Sequence, residues 1–262
     1  LRLGSATALG SSTGAVTVSS GAALDLYGWT LSNSNPLSII GTGLSGGGAL
    51  VNSSATSATY PGLVSLAGSA SIVGQTGSIT LSNTDTIASA ASAGSTSSLT
   101  LGGTTGGVIS SVIGSTISGL TKNGTGSWTL SGNNSYLGST FINDGTLKIS
   151  SATALGSNSE TSAYTEIKSS GGLEISGGIS VGEQIFLDGG KLKNVSGSNA
   201  LVGSSLGVTP LQLKRSSEVV VEAGMLTLSA PTGGLSSVGS DYAPPTGSPG
   251  SLALTVSGPG TL

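Results

Sequence analysis

The chain has 262 residues, of which only 8 are basic and 11 acidic, for a net charge of −3. Cysteine and histidine are absent, and aromatic residues make up 3%. These counts exclude disulfide scaffolds, thiolate zinc sites and the Ser-His-Asp and Cys-His mechanisms, and they leave no electrostatic footprint for nucleic acid. Glycine takes 45 of the 262 positions, more than twice its usual share of roughly 7%. Gly and Ser interrupt every stretch long enough to hold a helix. The recurring unit is instead aliphatic–polar–aliphatic. It appears in chain order as Val16-Thr17-Val18, Leu24-Asp25-Leu26, Ile79-Thr80-Leu81, Leu99-Thr100-Leu101, Leu147-Lys148-Ile149, Leu173-Glu174-Ile175, Ile179-Ser180-Val181, Leu211-Gln212-Leu213 and Leu226-Thr227-Leu228. Side chains alternate across a strand, so the outer two residues of each triplet point inward and the middle one meets water. Gly, Ser and Asn between the triplets suit tight corners.

Sandwiches, barrels and solenoids all use short strands. A sandwich core calls for larger anchors than a chain with two Trp, two Phe and five Tyr supplies. A solenoid needs only a few inward residues per strand, because each coil rests on the next. The predicted fold is therefore all-β: a right-handed, single-stranded parallel β-helix, the hand following from the crossover preference. Coils of about 20–25 residues would number roughly 11–13, and at about 4.8 Å per coil the rod would be some 55–60 Å long.

Solenoids show internal repeats. Residues 1–11 (LRLGSATALGS) match residues 147–157 (LKISSATALGS), and GAALDL from Gly21 matches SGGLEI from Ser170. Residues 254–262 resemble residues 120–128. The repeat copies thus cover 1–31 and 119–175, with a partial copy at 252–262, within one continuous segment spanning 1–262. Both ends of the sequence fall inside a repeat, without the polar caps that finish a solenoid in solution. The expectation is a segment of a longer array, or a subunit stacked end to end. Residues 1–15 lack the long apolar run of a secretory leader, which fits a piece of a secreted protein whose leader lies upstream. No run of about 20 apolar residues forms a membrane span.

The stretch 119–157, GLTKNGTGSWTLSGNNSYLGSTFINDGTLKISSATALGS, resembles the autotransporter-associated β-strand repeat, also called the passenger-associated transport repeat. The elements LTKxGxG, TLSGNNSYxGxT, xxxGTL and ALGS carry the resemblance. It implies a parallel β-helix in the passenger region of a secreted or surface-displayed bacterial protein. From the residues themselves, Gly124, Gly126, Gly138 and Gly145 are expected at corners. Asn133 and Asn134 suit left-handed turns or an asparagine ladder. Trp128, Tyr136 and Phe141 are expected to thicken the core and make this coil a stability nucleus. The family name adds the alternative that the repeat assists folding during export.

No catalytic, cofactor-binding or metal-binding residue is predicted, and no cofactor is required. The aspartates Asp25, Asp85, Asp144, Asp188 and Asp241 are dispersed, whereas glycoside hydrolysis needs two carboxylates facing one bond. The window from Glu160 to Glu222 holds 12 of the 19 charged residues. It reads as a solvated face whose charges alternate between coils, with a partner-binding stripe as the sharper alternative. The near-neutral remainder permits lateral association. The proline-rich stretch 231–250 cannot be a central strand and is predicted to protrude as a loop, where solenoids often place recognition. Asn-x-Ser/Thr sequences at Asn52, Asn123, Asn133 and Asn194 leave glycosylation open. The functional expectation is a non-enzymatic extracellular structural element of a fibre, sheath or matrix. It would self-associate end to end or laterally, without binding nucleic acid or inserting into a membrane. The alternative is an adhesin passenger that binds a partner or glycan through loops.

Overall fold

The computed structural model describes residues 1–91, 96–157, 163–202, 209–229 and 254–262. The stretch 231–250 and the first residues of the partial copy at 252–262 lie outside that set. Among the described residues every strand pairing is parallel, and the one helical piece is the short 3-10 turn Leu44–Gly46. The chain is a parallel β-solenoid of about eight turns.

The aliphatic triplets stand above one another. One inward column runs Leu24, Leu50, Ile72, Leu101, Lys122, Ile142, Ile167, Leu187, Leu213. Those nine rungs enclose eight turns over 189 residues, about 24 residues per turn. Single turns range from 20 residues, Lys122 to Ile142, to 29, Ile72 to Leu101. The mean matches the expected coil length, and the longest turns carry their extra residues in the connections, one of which holds the turn Leu44–Gly46. Eight turns at about 4.8 Å each make a ladder of about 38 Å over this span of 189 residues, whereas the expected length of about 55–60 Å applies to all 262.

A second inward column runs Tyr60, Leu81, Ile109, Leu130, Ile149, Ile175, Asn194, Val221. Most members of both columns are inaccessible to water. Each such Leu or Ile contributes roughly 1.5–3 kcal/mol by burial. This is the thin, layered core that a chain poor in aromatics can fill.

Long strands join the faces. Val64–Gly74 pairs with Leu37–Gly41 and Leu50–Asn52 on one side and with Ser97–Gly102 on the other. Thr140–Ile149 receives both Ile117–Lys122 and Ser127–Leu130. The sequence repeat does not map onto one face. Leu24 heads the column through Leu101 and Lys122, whereas its repeat partner Leu173 stands above Leu147 and below Leu192.

Candidate functional site: the corner around Lys122 and the charged face

Lys122 ends the strand Ile117–Lys122 at an inward position, between Leu101 and Ile142. Its side chain is fully buried. An ammonium in that place must satisfy its donors inside the protein. Nζ donates to the carbonyl oxygens of Gly124 at 2.6 Å, Asp144 at 2.9 Å and Asn123 at 3.0 Å. Two acceptors belong to its own coil and one to the next, so the ammonium pins neighbouring coils together. Gly124 adopts φ +72°, a left-handed conformation that suits glycine, and this turn brings two successive carbonyls to one cation. Burial pushes the Lys122 pKa down to about 8, and the negative charge of Asp144 offsets part of that shift. Outside the corner, Asn143 Nδ2 donates to Asn123 Oδ1 at 2.9 Å, tying the same two coils.

The next coil segments are fastened in the same manner. Trp128 is buried and donates from Nε1 to the Gly102 carbonyl at 2.9 Å. Gly107 lies directly below it, where a Cβ would come within 2.9 Å of the indole. Asn134 accepts from the Ile113 amide at 2.8 Å and donates to the Ala154 carbonyl at 2.6 Å, so one side chain spans three coils. Tyr136 is buried, with its hydroxyl 2.6 Å from Thr140 Oγ1.

Residues 120–149 match the family model described as the passenger-associated transport repeat. The chain carries a passenger-associated transport repeat. Repeats of this family are associated with autotransporter passengers, which are surface-exposed or secreted. Together with the parallel solenoid they make this a passenger-like chain. No curated protein and no solved structure matches it.

The transport repeat uses its glycines in two ways. Gly124 and Gly145 take positive φ, and all four of Gly124, Gly126, Gly138 and Gly145 sit against the backbone of the coil below, which a Cβ would meet at 2.6, 2.6, 1.6 and 2.4 Å. Asn133 and Asn134 do not adopt left-handed turns. Asn134 acts as an inter-coil bridge, and exposed Asn133 accepts from Ser151 Oγ. Phe141 departs from expectation. It is the middle residue of Thr140-Phe141-Ile142, whose flanks point inward, so its ring faces out. Asn134→Ala would strip one amide and one carbonyl of their partner. At roughly 1–3 kcal/mol for a buried orphan, the expected loss is about 2 kcal/mol in denaturant unfolding, and a loss below about 0.5 kcal/mol would refute the bridging role.

A second buried ionisable group lies ahead of the strand Ile185–Asp188, three turns beyond Lys122. Glu183 is 5% exposed. Its Oε1 accepts from Thr165 Oγ1 at 2.9 Å, and Oε2 has no partner. Burial pushes its pKa up to about 8, only partly countered by the Thr165 bond. The same burial, joined by the nearby Glu183 charge, pushes the Tyr136 phenol up. Neither Lys122 nor Glu183 was predicted as special from sequence.

The outward side of the following coils carries the charge. Lys148, Glu174 and Lys193 stand in register on successive rungs, with salt bridges of 3.3 Å from Lys148 and 3.6 Å from Lys193 to Glu174, and 2.7 Å from Lys193 to Glu222. The predicted alternation between coils is thus present. On the adjacent face Lys168 bridges Glu166 and Asp188, Lys214 binds Glu166 at 2.8 Å, and Arg215 binds Asp188 at 2.9 Å. Burial alone would raise the Glu166 pKa, but hydrogen bonds from Lys168 and Lys214 outweigh it and hold the carboxyl below its usual range. Phe141, Tyr164 and Phe186 form an edge-to-face ladder beside these ions, with centroids 5.9 and 5.1 Å apart. Of the glycosylation sequences, Asn52 and Asn194 are buried and hydrogen-bonded, whereas Asn123 and Asn133 are exposed.

Proposed function

We propose that this passenger-like chain is a structural element of an extracellular fibre, sheath or surface matrix, in which copies associate laterally along their uncharged faces. The observation that carries the reading is one outward column. Thr30, Thr59, Thr80, Val108 and Thr129 stand in register on five successive rungs without a charge among them. Charge enters the column only at Lys148. A regular array of small side chains at about 4.8 Å spacing has no repulsion to hold a second copy away, and a shift by one rung preserves the fit. The role assigns no catalytic step.

Thr80→Lys with Thr129→Lys places two ammonium groups on this face at little cost to the strands, since both positions are half-buried and point outward, and a lysine stem can lie along the surface with its charge in water. The unmodified protein is expected to sediment as assemblies that grow with concentration and to form rods in electron micrographs. The double variant should melt at the same temperature and stay dispersed. An unmodified protein that remains a 25.0 kDa monomer at high concentration would sink the proposal.

A further inference from the structure

The face beside the transport repeat has properties that self-association does not use. The chain has nine aromatic residues, and three of them, Phe141, Tyr164 and Phe186, line up on the outside of one rod face. They are half-buried, so ring area remains open to solvent. The ions next to them are layered. Glu166 and Asp188 have side chains only 6% and 8% exposed, whereas Lys168 and Arg215 are 40% and 64% exposed. The two carboxylates therefore lie beneath, and the cations they hold in place form the solvent layer. Three cations on two carboxylates leave one positive charge in a chain whose net charge is −3. Lys214 Nζ also sits 4.5 Å from the Phe186 centroid, fixing it over the ladder. Arg215 holds Asp188 through Nε, which leaves its terminal nitrogens to meet a second, external carboxylate. Past Asp188 the surface enters an open groove of about 470 Å³, lined by Ser169, Gly189, Gly190, Lys191, Ser217 and Glu218. Hydroxyls and glycine backbone are suitable partners for sugar hydroxyls, and a few placed polar groups fix orientation.

We propose that this face binds an acidic polysaccharide, a chain of pyranose rings bearing carboxylates. The rings would lie on Phe141 and Tyr164, beside the Lys214 ammonium that covers Phe186, a carboxylate would meet Arg215 and Lys168, and the chain would continue into the groove. A nucleic acid fits less well, because phosphate binding draws on many uncompensated cations and this face has one. The inference stands apart from the fibre reading, since Thr80→Lys leaves this face untouched and the two can fail separately.

The test is calorimetric titration of the full chain with a galacturonate hexamer, a neutral cellulose hexamer and a thymidylate oligonucleotide. The galacturonate hexamer is expected to bind at least tenfold more tightly than either of the others, and less tightly as salt is added. Arg215→Ala, at an exposed side chain, should weaken that binding at least tenfold with an unchanged circular dichroism spectrum and melting curve. Tyr164→Ser should weaken it as well. If that variant proves unstable, Arg215→Gln supplies the same readout. No binding at millimolar hexamer, equal binding of the oligonucleotide, or an Arg215→Ala variant that binds as before would each overturn the proposal.

Discussion

Glu183→Gln should abolish a loss of stability of about 5 kcal/mol that the unmodified protein suffers between pH 4.5 and pH 8. The folded-state pKa of Glu183 is raised from 4.5 to about 8, so the folded chain binds more protons than the unfolded chain throughout that window. Its contribution is fully present below pH 4.5 and is lost as pH rises through the folded value. Against total stabilities of about 5–15 kcal/mol for ordinary domains, such a loss is large. The glutamine side chain of this variant would keep the acceptor for Thr165 and have nothing to ionise. Urea unfolding at pH 5, 6.5 and 8 should show the unmodified protein weakening stepwise and Glu183→Gln holding level. Parallel declines in both proteins would dismiss Glu183 as the cause. Other shifted groups act outside the window. Asp25 and Glu166 have lowered pKa values and lose stability only as pH falls below about 4.5, whereas Lys168 and Lys193 have raised values and lose it only above about 10.5.

The solenoid is legible in the sequence because its force is periodic. A triplet such as Leu147-Lys148-Ile149 states which residues point inward, and stacking identical units is the only way so thin a core is closed. The same period also places Phe141 outside, since Thr140 and Ile142 flank it inward; reading its ring as core lets size overrule alternation. Lys122 was open to the same reasoning. Leu120-Thr121-Lys122 is an aliphatic triplet with a lysine in an inward place, and Leu192-Lys193-Asn194 puts an asparagine there likewise. Charge suggests solvent, whereas register dictates the interior. Glu183 gave no such signal. It lies between Gly182 and Gln184, ahead of the strand Ile185–Asp188, where no alternation applies. Its burial comes from how two coils meet, and the ion network of Glu166, Asp188, Lys168, Lys214 and Arg215 likewise depends on which coils become neighbours.

Lys122→Met should destabilise the chain by about 3 kcal/mol at pH 7, with the damage centred on the rungs of Leu101, Lys122 and Ile142. Two effects oppose each other. Methionine fills nearly the same column space and removes an ammonium whose burial costs about 3 kcal/mol relative to the neutral amine, the equivalent of a pKa moved from 10.5 to about 8. It also leaves the carbonyls of Asn123, Gly124 and Asp144 without their donor. At roughly 2 kcal/mol for each orphan, the loss is about 6 kcal/mol and outweighs the gain. The pH dependence separates this account from simple packing. A depressed lysine pKa means that the unfolded chain binds more protons between about pH 8 and 10.5, so stability rises with pH there. Combined with Glu183, the unmodified protein has a stability minimum near pH 8, and Lys122→Met removes its alkaline side. Hydrogen exchange should accelerate most at the amides of residues 101–102, 122–124 and 142–145. A variant as stable as the unmodified protein, with the alkaline rise intact, would show that the ammonium does not hold the corner. The lysine of the transport repeat then has a physical task that an aliphatic residue cannot perform: its charge is tolerable only where the carbonyls of two adjacent coils converge, so it penalises every slipped register of a column that leucines alone would leave loosely specified.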